Sequence, residues 1–489
     1  MRVLKFGGSS VADAGRISQV CSIVSRARLA GPVAVVVSAL GGTTDVLVEL
    51  AEGTASDESQ SGPKIEALRN RHTEILAELN PDCRRTEATI DAVVDELHRL
   101  VTGIEYIADC PPAVRDRILA CGERLSAPLV AAALRARGTS AHAVDGAEII
   151  VTDGTHGAAT VDLATTGVRS RDRLIAASGS SIPVVTGFIG ATSQGRTTTL
   201  GRGGSDLTAT VLGAVLDAEV VEIWTDVNGI FTAPPRVVAG ARPQPCVSYD
   251  EAAELARFGA AVLFTKTVAP IRERSIPVVV RNTFDPDGPS TWVDDGPEVP
   301  MGARSLASVE RAVVFKVRAI DPSNDATSRF AEVVPRCLIA ALAAASGEWT
   351  LVTEEADADT VDRTLRGTGM IIHRTDDASV VSVIGSRLLQ QPWVAGRALE
   401  ALGRRDIALK GYVSPSEHSV CVVVDRADHH RSLAILHDAL MLSHLAAQAA
   451  NAARKATSLK GPEGDSPTIQ SRDPRRDRDR RPAARPPAA

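Results

Sequence analysis

Short runs of β-branched and apolar residues recur between stretches of helical periodicity over residues 1–300. Arg2–Phe6, Val33–Ser38, Ile182–Phe188, Val220–Thr225 and Ile276–Asn282 predict strands. Several of these runs are apolar at consecutive positions, the pattern of strands covered on both faces. Between them, Gly15–Leu29, Pro63–Leu79, Ile90–Ile107, Val114–Arg137 and Asp206–Leu216 predict helices. The alternation predicts an open, mainly parallel α/β sheet sandwiched by helices. Residues 51–112, opened by the polar stretch Gly53–Pro63, read as a helical insertion.

Residues 305–445 predict two smaller α+β modules in succession. The first runs from Val313–Ile320 through a helix near Ala326–Val334 to Leu338–Ala344 and Trp349–Thr353. The second runs from Ser379–Ile384 through Val394–Leu402 to Ile407–Tyr412 and Val420–Val424, with a helix from Asp428. Residues 450–489 are rich in Pro, Ala and charge and predict a disordered tail.

Composition removes several classes of function. A net charge of −6 gives no basic footprint for nucleic acid, and 3% aromatics leave few stacking platforms for single strands. No run of 18 apolar residues predicts a membrane span, and the start MRVLKF does not read as a signal segment. Seven scattered cysteines without a CxxC pair read as reduced thiols of a cytoplasmic protein.

The candidate chemistry lies in three glycine-rich turns, each between a strand and a helix: Lys5-Phe6-Gly7-Gly8-Ser9-Ser10, Ser38–Asp45, and Gly195–Asp206 with its GRGGSD end. Glycines at strand ends let backbone N–H groups close on phosphate oxygens, and the following helix N-termini favour anions. Lys5 supplies a point charge for a phosphoryl group. The turn lacks the GxxxxGK[ST] spacing of the Walker loop. Three such turns would gather at one sheet edge, where open α/β sheets bind ligands.

These residues resemble the aspartate kinases of the amino-acid kinase superfamily. The similarity runs, in order, through KFGGSSV at 5–11, VVVSAL at 35–40, RDRILACGERLSA at 115–127, VVTGFIG at 184–190, GRTTTLGRGGSD at 195–206, VEIWTDVNGIFT at 221–232, EAAELARFGAAVL at 251–263 and RNTF at 281–284. The insertion resembles that of longer members, including those fused to a dehydrogenase, although no GxGxxG unit follows here. Residues 305–445 resemble paired ACT modules, the first of them degenerate. The resemblance implies transfer of the ATP γ-phosphoryl group to the L-aspartate β-carboxylate, with Mg²⁺ held mainly by ATP and water and no dedicated protein metal cage. It also implies a homodimer or higher oligomer and an amino-acid effector, lysine or threonine.

By motif, Lys5 and Asp206 are the expected catalytic pair, with Lys5, Gly7, Gly8, Ser9 and Ser38 on the phosphates. Thr44 and Arg202 are expected on the aspartate carboxylates, Glu123 on its α-ammonium, Ser205 among the substrate-binding residues, and Phe188 in the substrate pocket or the core. Thr225, Asp226, Phe231 and Arg236 are expected on the nucleotide. Some positions depart from the family pattern. Ala261 stands where a lysine usually contacts the nucleotide, Phe264-Thr265 where His-Pro is familiar, Pro234 where Asp is usual, and Asp45 where Asn is common. Arg257, four residues before Ala261 on a predicted helix, is the expected compensation at the phosphates. The Ala-rich stretch Leu338–Ala345 predicts weakened or altered feedback, while Ser414–Ser419 resembles the effector-loop region. Kinases for other small carboxylic acids, or a catalytically weak amino-acid-binding subunit, are the competing readings; GER and GRGGSD favour aspartate.

Overall fold

The computed structural model describes residues 1–53, 58–80, 83–175, 181–260, 265–295, 302–318, 333–343, 348–366 and 370–440. The tail, Ala261, Phe264 and most of the helix expected near Ala326–Val334 lie outside them. The helices are α1 Ala14–Leu29, α2 Thr43–Glu52, α3 Glu58–Leu79, α4 Arg84–Ile107, α5 Pro112–Ala136, α6 Gly146–Ile149, α7 Leu163–Ser170, α8 Gly204–Val215, α9 Tyr249–Arg257, α10 Thr265–Arg272, α11 Glu355–Arg366, α12 Pro392–Gly403 and α13 His429–Leu440.

Strands β1 Arg2–Phe6, β2 Val33–Val37, β3 Ala141–Val144, β5 Ile182–Thr186, β8 Val220–Thr225, β9 Cys246–Val247, β10 Val278–Asn282 and β11 Thr291–Val293 form one sheet in the order β3-β5-β2-β1-β8-β10-β11-β9. Its central pairings are parallel. Val33–Val37 is buried at every position, which is why its apolar run does not alternate. The helices α3 and α4 of the insertion pack with α1 and α5 into one apolar cluster with that face of the sheet. A small sheet of β4 Val151–Thr152, β6 Ile189–Thr192 and β7 Thr197–Thr199 lies beside the third glycine turn.

The C-terminal half departs from the sequence expectation. Instead of two sheets in succession, one antiparallel sheet has the order β13-β14-β12-β15-β17-β16. Its members are β12 Gly302–Arg318, β13 Cys337–Ala343, β14 Glu348–Glu354, β15 Ile371–Ser386, β16 Leu409–Ser416 and β17 Ser419–Asp425. The long strands β12 and β15 cross from one module into the other, so the modules are nested. Their pairing slips around Glu310 and Arg311, where one module meets the next. The stretch expected at Leu338–Ala344 is strand β13, paired antiparallel with β14. One face of this sheet joins the catalytic core through Leu255 and Phe258. The junction also holds a buried ion pair, Arg304 Nη1 to Glu251 Oε2 at 2.7 Å, both about 1% exposed.

Candidate functional site

Four strand ends lie level. Phe6 is in register with Val37 on one side and Trp224 on the other, and Val37 pairs with Thr186. The loops leaving β1, β2, β5 and β8 therefore emerge side by side. The first two glycine turns touch: Gly41 N–H donates to Gly8 O at 3.1 Å, and a Cβ on Gly8 would lie 2.9 Å from Ala39 O. No larger residue fits at Gly8 unless the turns separate. Gly7 N–H donates to Trp224 O at 3.1 Å, tying the first turn to the end of β8. In the third turn Gly201 and Gly203 have φ of 76° and 71°, a left-handed conformation that glycine adopts without Cβ strain. That turn delivers Asp206 into the first turn of α8.

Lys5 Nζ lies 2.6 Å from Asp206 Oδ1, with both side chains about a tenth exposed or less. A cavity of about 490 Å³ opens beside this pair. Ser38, Thr44, Glu123, Phe188, Arg202 and Ser205 reach the same cavity, so the substrate residues expected from sequence lie together with Lys5 and Asp206. Ser9 sits in the helical turn after Gly8 and accepts Arg16 Nη1 at its carbonyl.

Glu123 is almost sealed, and its Oε1 accepts the Ala39 N–H at 3.1 Å. Burial pushes its carboxyl up to about 8, against the opposing pull of the Ala39 N–H and of Lys5. Helix α5 comes this close because Gly122 has no side chain: a Cβ there would meet Ala39 Cβ at 2.7 Å. Phe188 serves the cavity and the packing at once. It holds φ of 66°, donates its N–H to Thr208 Oγ1 at 3.1 Å, and packs its ring over Gly204, whose Cβ would lie 2.7 Å away. A left-handed aromatic is a strained residue kept by its surroundings.

Asp116 was not singled out by the sequence reading. It is about 1% exposed and accepts from His156 Nδ1 at 2.6 Å, Gly157 N at 3.1 Å and Thr199 Oγ1 at 2.6 Å. It thereby clamps α5 to the strand that leads into the third turn. Its spacing of seven from Glu123 puts the two acids on one helix face, a signal readable within RDRILACGE. Arg115, also missed, reaches the cavity wall.

On the other side, Thr225 Oγ1 donates to Asp226 Oδ1 at 3.2 Å where β8 ends. A second, apolar cavity of about 230 Å³ lies beyond it, with Phe231, Pro234 and Leu255 on one side and Leu306, Ala307 and Ser308 of β12 on another. Arg236 is exposed on the same loop.

Arg257 is a correction. Helix α9 ends at Arg257 and Gly259 turns left-handed with φ of 88°, so helical spacing does not carry past Phe258. Its guanidinium lies over the Phe258 ring at 5.7 Å. It is also among the charges acting on the thiols of Cys337 and Cys421, which burial pushes up to about 12. Arg257 thus lies at the junction with the C-terminal sheet.

Among the described residues, no cluster of three metal-ligating side chains occurs in the cleft. A nucleotide-bound Mg²⁺ is compatible with this donor set, since Mg²⁺ is commonly held by phosphates and water with one or two carboxylates.

A buried lysine–aspartate pair among glycine turns thus shares one cavity with a buried acid and an arginine. A model of the amino acid kinase family matches residues 1–282, and an ACT domain model matches residues 381–440. The chain belongs to the amino acid kinase family and, within it, to the aspartokinases. It is 32% identical to the aspartokinase of Mycolicibacterium smegmatis over 462 residues, covering 90% of this chain and 96% of that one. The crystal structure of E. coli aspartokinase III in complex with aspartate and ADP, its R-state, superposes with a TM-score of 0.79 at 29% identity, covering 90% and 99% of the two chains. The T-state of the same enzyme, in complex with lysine and aspartate, gives 0.73 with the same identity and coverage. The chain spans only 56% and 51% of two longer curated relatives.

Proposed function

We propose that this protein transfers the γ-phosphoryl group of ATP to the β-carboxylate of L-aspartate, giving 4-phospho-L-aspartate for amino-acid biosynthesis. The observation that carries this reading is that the Lys5–Asp206 pair, Glu123 and Arg202 line one cavity. Phosphoryl transfer asks for positioning and charge neutralisation. Lys5, held by Asp206, takes the charge that grows on the phosphoryl oxygens. The backbone at Gly7, Gly8 and Ser9, with Ser38, cradles the phosphates. Arg202 presents a planar fork to a substrate carboxylate, with Thr44 and Ser205 beside it. Glu123 takes the α-ammonium, and Phe188 closes the pocket.

The apolar cavity beside Phe231 suits a purine ring, with Thr225, Asp226 and Arg236 around the nucleotide. Mg²⁺, bound through ATP and water, supplies charge neutralisation at the β- and γ-phosphates. The Ser414–Ser419 stretch is a hairpin turn whose hydroxyls bond within the turn, Ser416 Oγ to Ser419 Oγ at 3.0 Å. Such self-satisfaction supports weak or altered feedback by lysine or threonine. We also assign the protein to the cytoplasm, as a homodimer or higher homo-oligomer. Its seven cysteines are all free, and among the described residues no helix is long and apolar enough to cross a membrane.

A hydroxamate assay run with aspartate, glutamate and their N-acetyl forms tests the reading. Aspartate alone is expected to give acyl phosphate. Turnover of glutamate or an N-acetyl acid in preference would replace the substrate. Nucleotide binding without any turnover would make the chain a regulatory subunit.

A further inference from the structure

We propose that Glu310, His429 and His430 form a site for a divalent transition-metal ion of the zinc type, outside the catalytic cleft. One ligand atom from each of the three residues lies within 4.8 Å of the others. Glu310 projects from the irregular stretch of β12, where the pairing with β15 slips between Val309 and Ala312. His429 and His430 open helix α13. The site therefore stands where the two nested modules exchange strands.

His429 makes the case for a ligand. It is only 5% exposed, yet neither ring nitrogen has a hydrogen-bond partner. A buried polar group left unpaired is costly, and each such group in a folded protein needs an explanation. Its neighbours offer one: the His430 ring lies 5.1 Å away, centroid to centroid, and the Glu310 carboxylate completes the group.

Two imidazoles and a carboxylate match zinc and its neighbours rather than calcium or magnesium, which take oxygen ligands. A zinc ion needs donors about 2.0–2.2 Å from the metal. The buried His429 is the fixed point. Glu310 and His430 are exposed and can swing onto it. The positive end of the α13 dipole opposes a cation here, and the Glu310 charge offsets it. With Glu310 and His430 exposed, a bound ion would keep access to solvent, as in an open rather than a purely structural site.

The site bears on the nucleotide loop through α13. Two turns beyond His430, His437 Nε2 lies 3.0 Å from Thr232 Oγ1, next to Phe231. On the same helix, Leu433, Leu436 and Leu440 share a core with Ala233 and Val238 of that loop. Metal at one end of the helix thus steadies the loop at the other.

The test uses the full chain, stripped with a chelator and titrated with zinc chloride without nucleotide. Bound metal is measured by elemental analysis after gel filtration, and thermal midpoints are recorded with and without zinc. The wild type is expected to retain about one zinc per chain and to melt higher with it. Glu310→Gln and His430→Ala alter exposed side chains and are expected to keep the fold, checked by circular dichroism. Each is expected to weaken zinc binding by about tenfold or more, as loss of a metal-supporting group does. Cobalt in place of zinc is expected to show no thiolate charge-transfer band. Absence of stoichiometric zinc, unchanged affinity in both variants, or a thiolate band would each overturn the site.

Discussion

Lys5 Nζ and Asp206 Oδ1 meet at 2.6 Å although one leaves the first strand and the other opens the helix after the third glycine turn. The pair exists only because β1 and that turn reach the same sheet edge. Lys5→Ala removes the charge at the phosphoryl group and leaves Asp206 buried without its cation. Turnover in the hydroxamate assay is expected to fall roughly 10²–10³-fold, the scale seen when one preorganised transition-state donor is lost. Asp206→Asn is expected to lower turnover less, because the lysine stays but is no longer anchored. Equal activity of Lys5→Ala and wild type would remove Lys5 from the reaction.

The pH dependence of substrate binding follows from Glu123. Burial raises its carboxyl to about 8, so below that pH the group is mostly neutral in the empty site. An arriving α-ammonium favours the charged form and must expel the proton. The aspartate KM is therefore expected to fall as pH rises through about 8. Glu123→Gln is expected to raise KM and flatten that profile. A KM that stays constant across this range in wild type would contradict the role.

The Arg304–Glu251 pair is sealed on both sides, and Glu251 also accepts the Ser248 N–H in a capping box. Arg304→Met strands a buried carboxylate, a change that costs about 3–5 kcal/mol. A large drop in thermal midpoint is expected. Adding Glu251→Gln, which can keep the cap without the charge, is expected to restore part of it. A double-variant midpoint no higher than that of Arg304→Met would show that the ion pair is not the source of the loss.

Gly8→Ala places a methyl group against the Ala39 carbonyl and pushes two turns apart. Nucleotide affinity is expected to fall at least tenfold by calorimetry, with the fold retained, because the turn lies outside the sheet. Gly42→Ala tests something different. Nothing lies within 4 Å of a Cβ there, so only the φ of 81° is strained, and a smaller loss is expected.

The legible parts of the fold were those with a single physical solution. Runs such as VAVVV admit only a strand covered on both faces, and β1 and β8 appear with the expected bounds. The glycine turns were legible because few residues besides glycine tolerate their backbone. Polar residues hid the rest. Glu310 and Arg311 interrupt β12 at its middle and Arg374 and Asp376 lie near the start of β15, so the apolar pattern covers only part of each strand. Helix α11 was missed because only Ala358, Val361 and Leu365 on its surface are buried, against a mostly charged remainder. Arg257 failed for a related reason: helical spacing was read past Phe258, where the chain turns over Gly259.

Leu306, Ala307 and Ser308 of β12 form a wall of the cavity beside Phe231, and β12 is also the strand that pairs along its length with β15 in the C-terminal sheet. A shift of that sheet changes the shape of the cavity directly, with no relay of intermediate side chains. A chain cut before Gly302 would lose not the C-terminal sheet alone but part of the wall of this cavity.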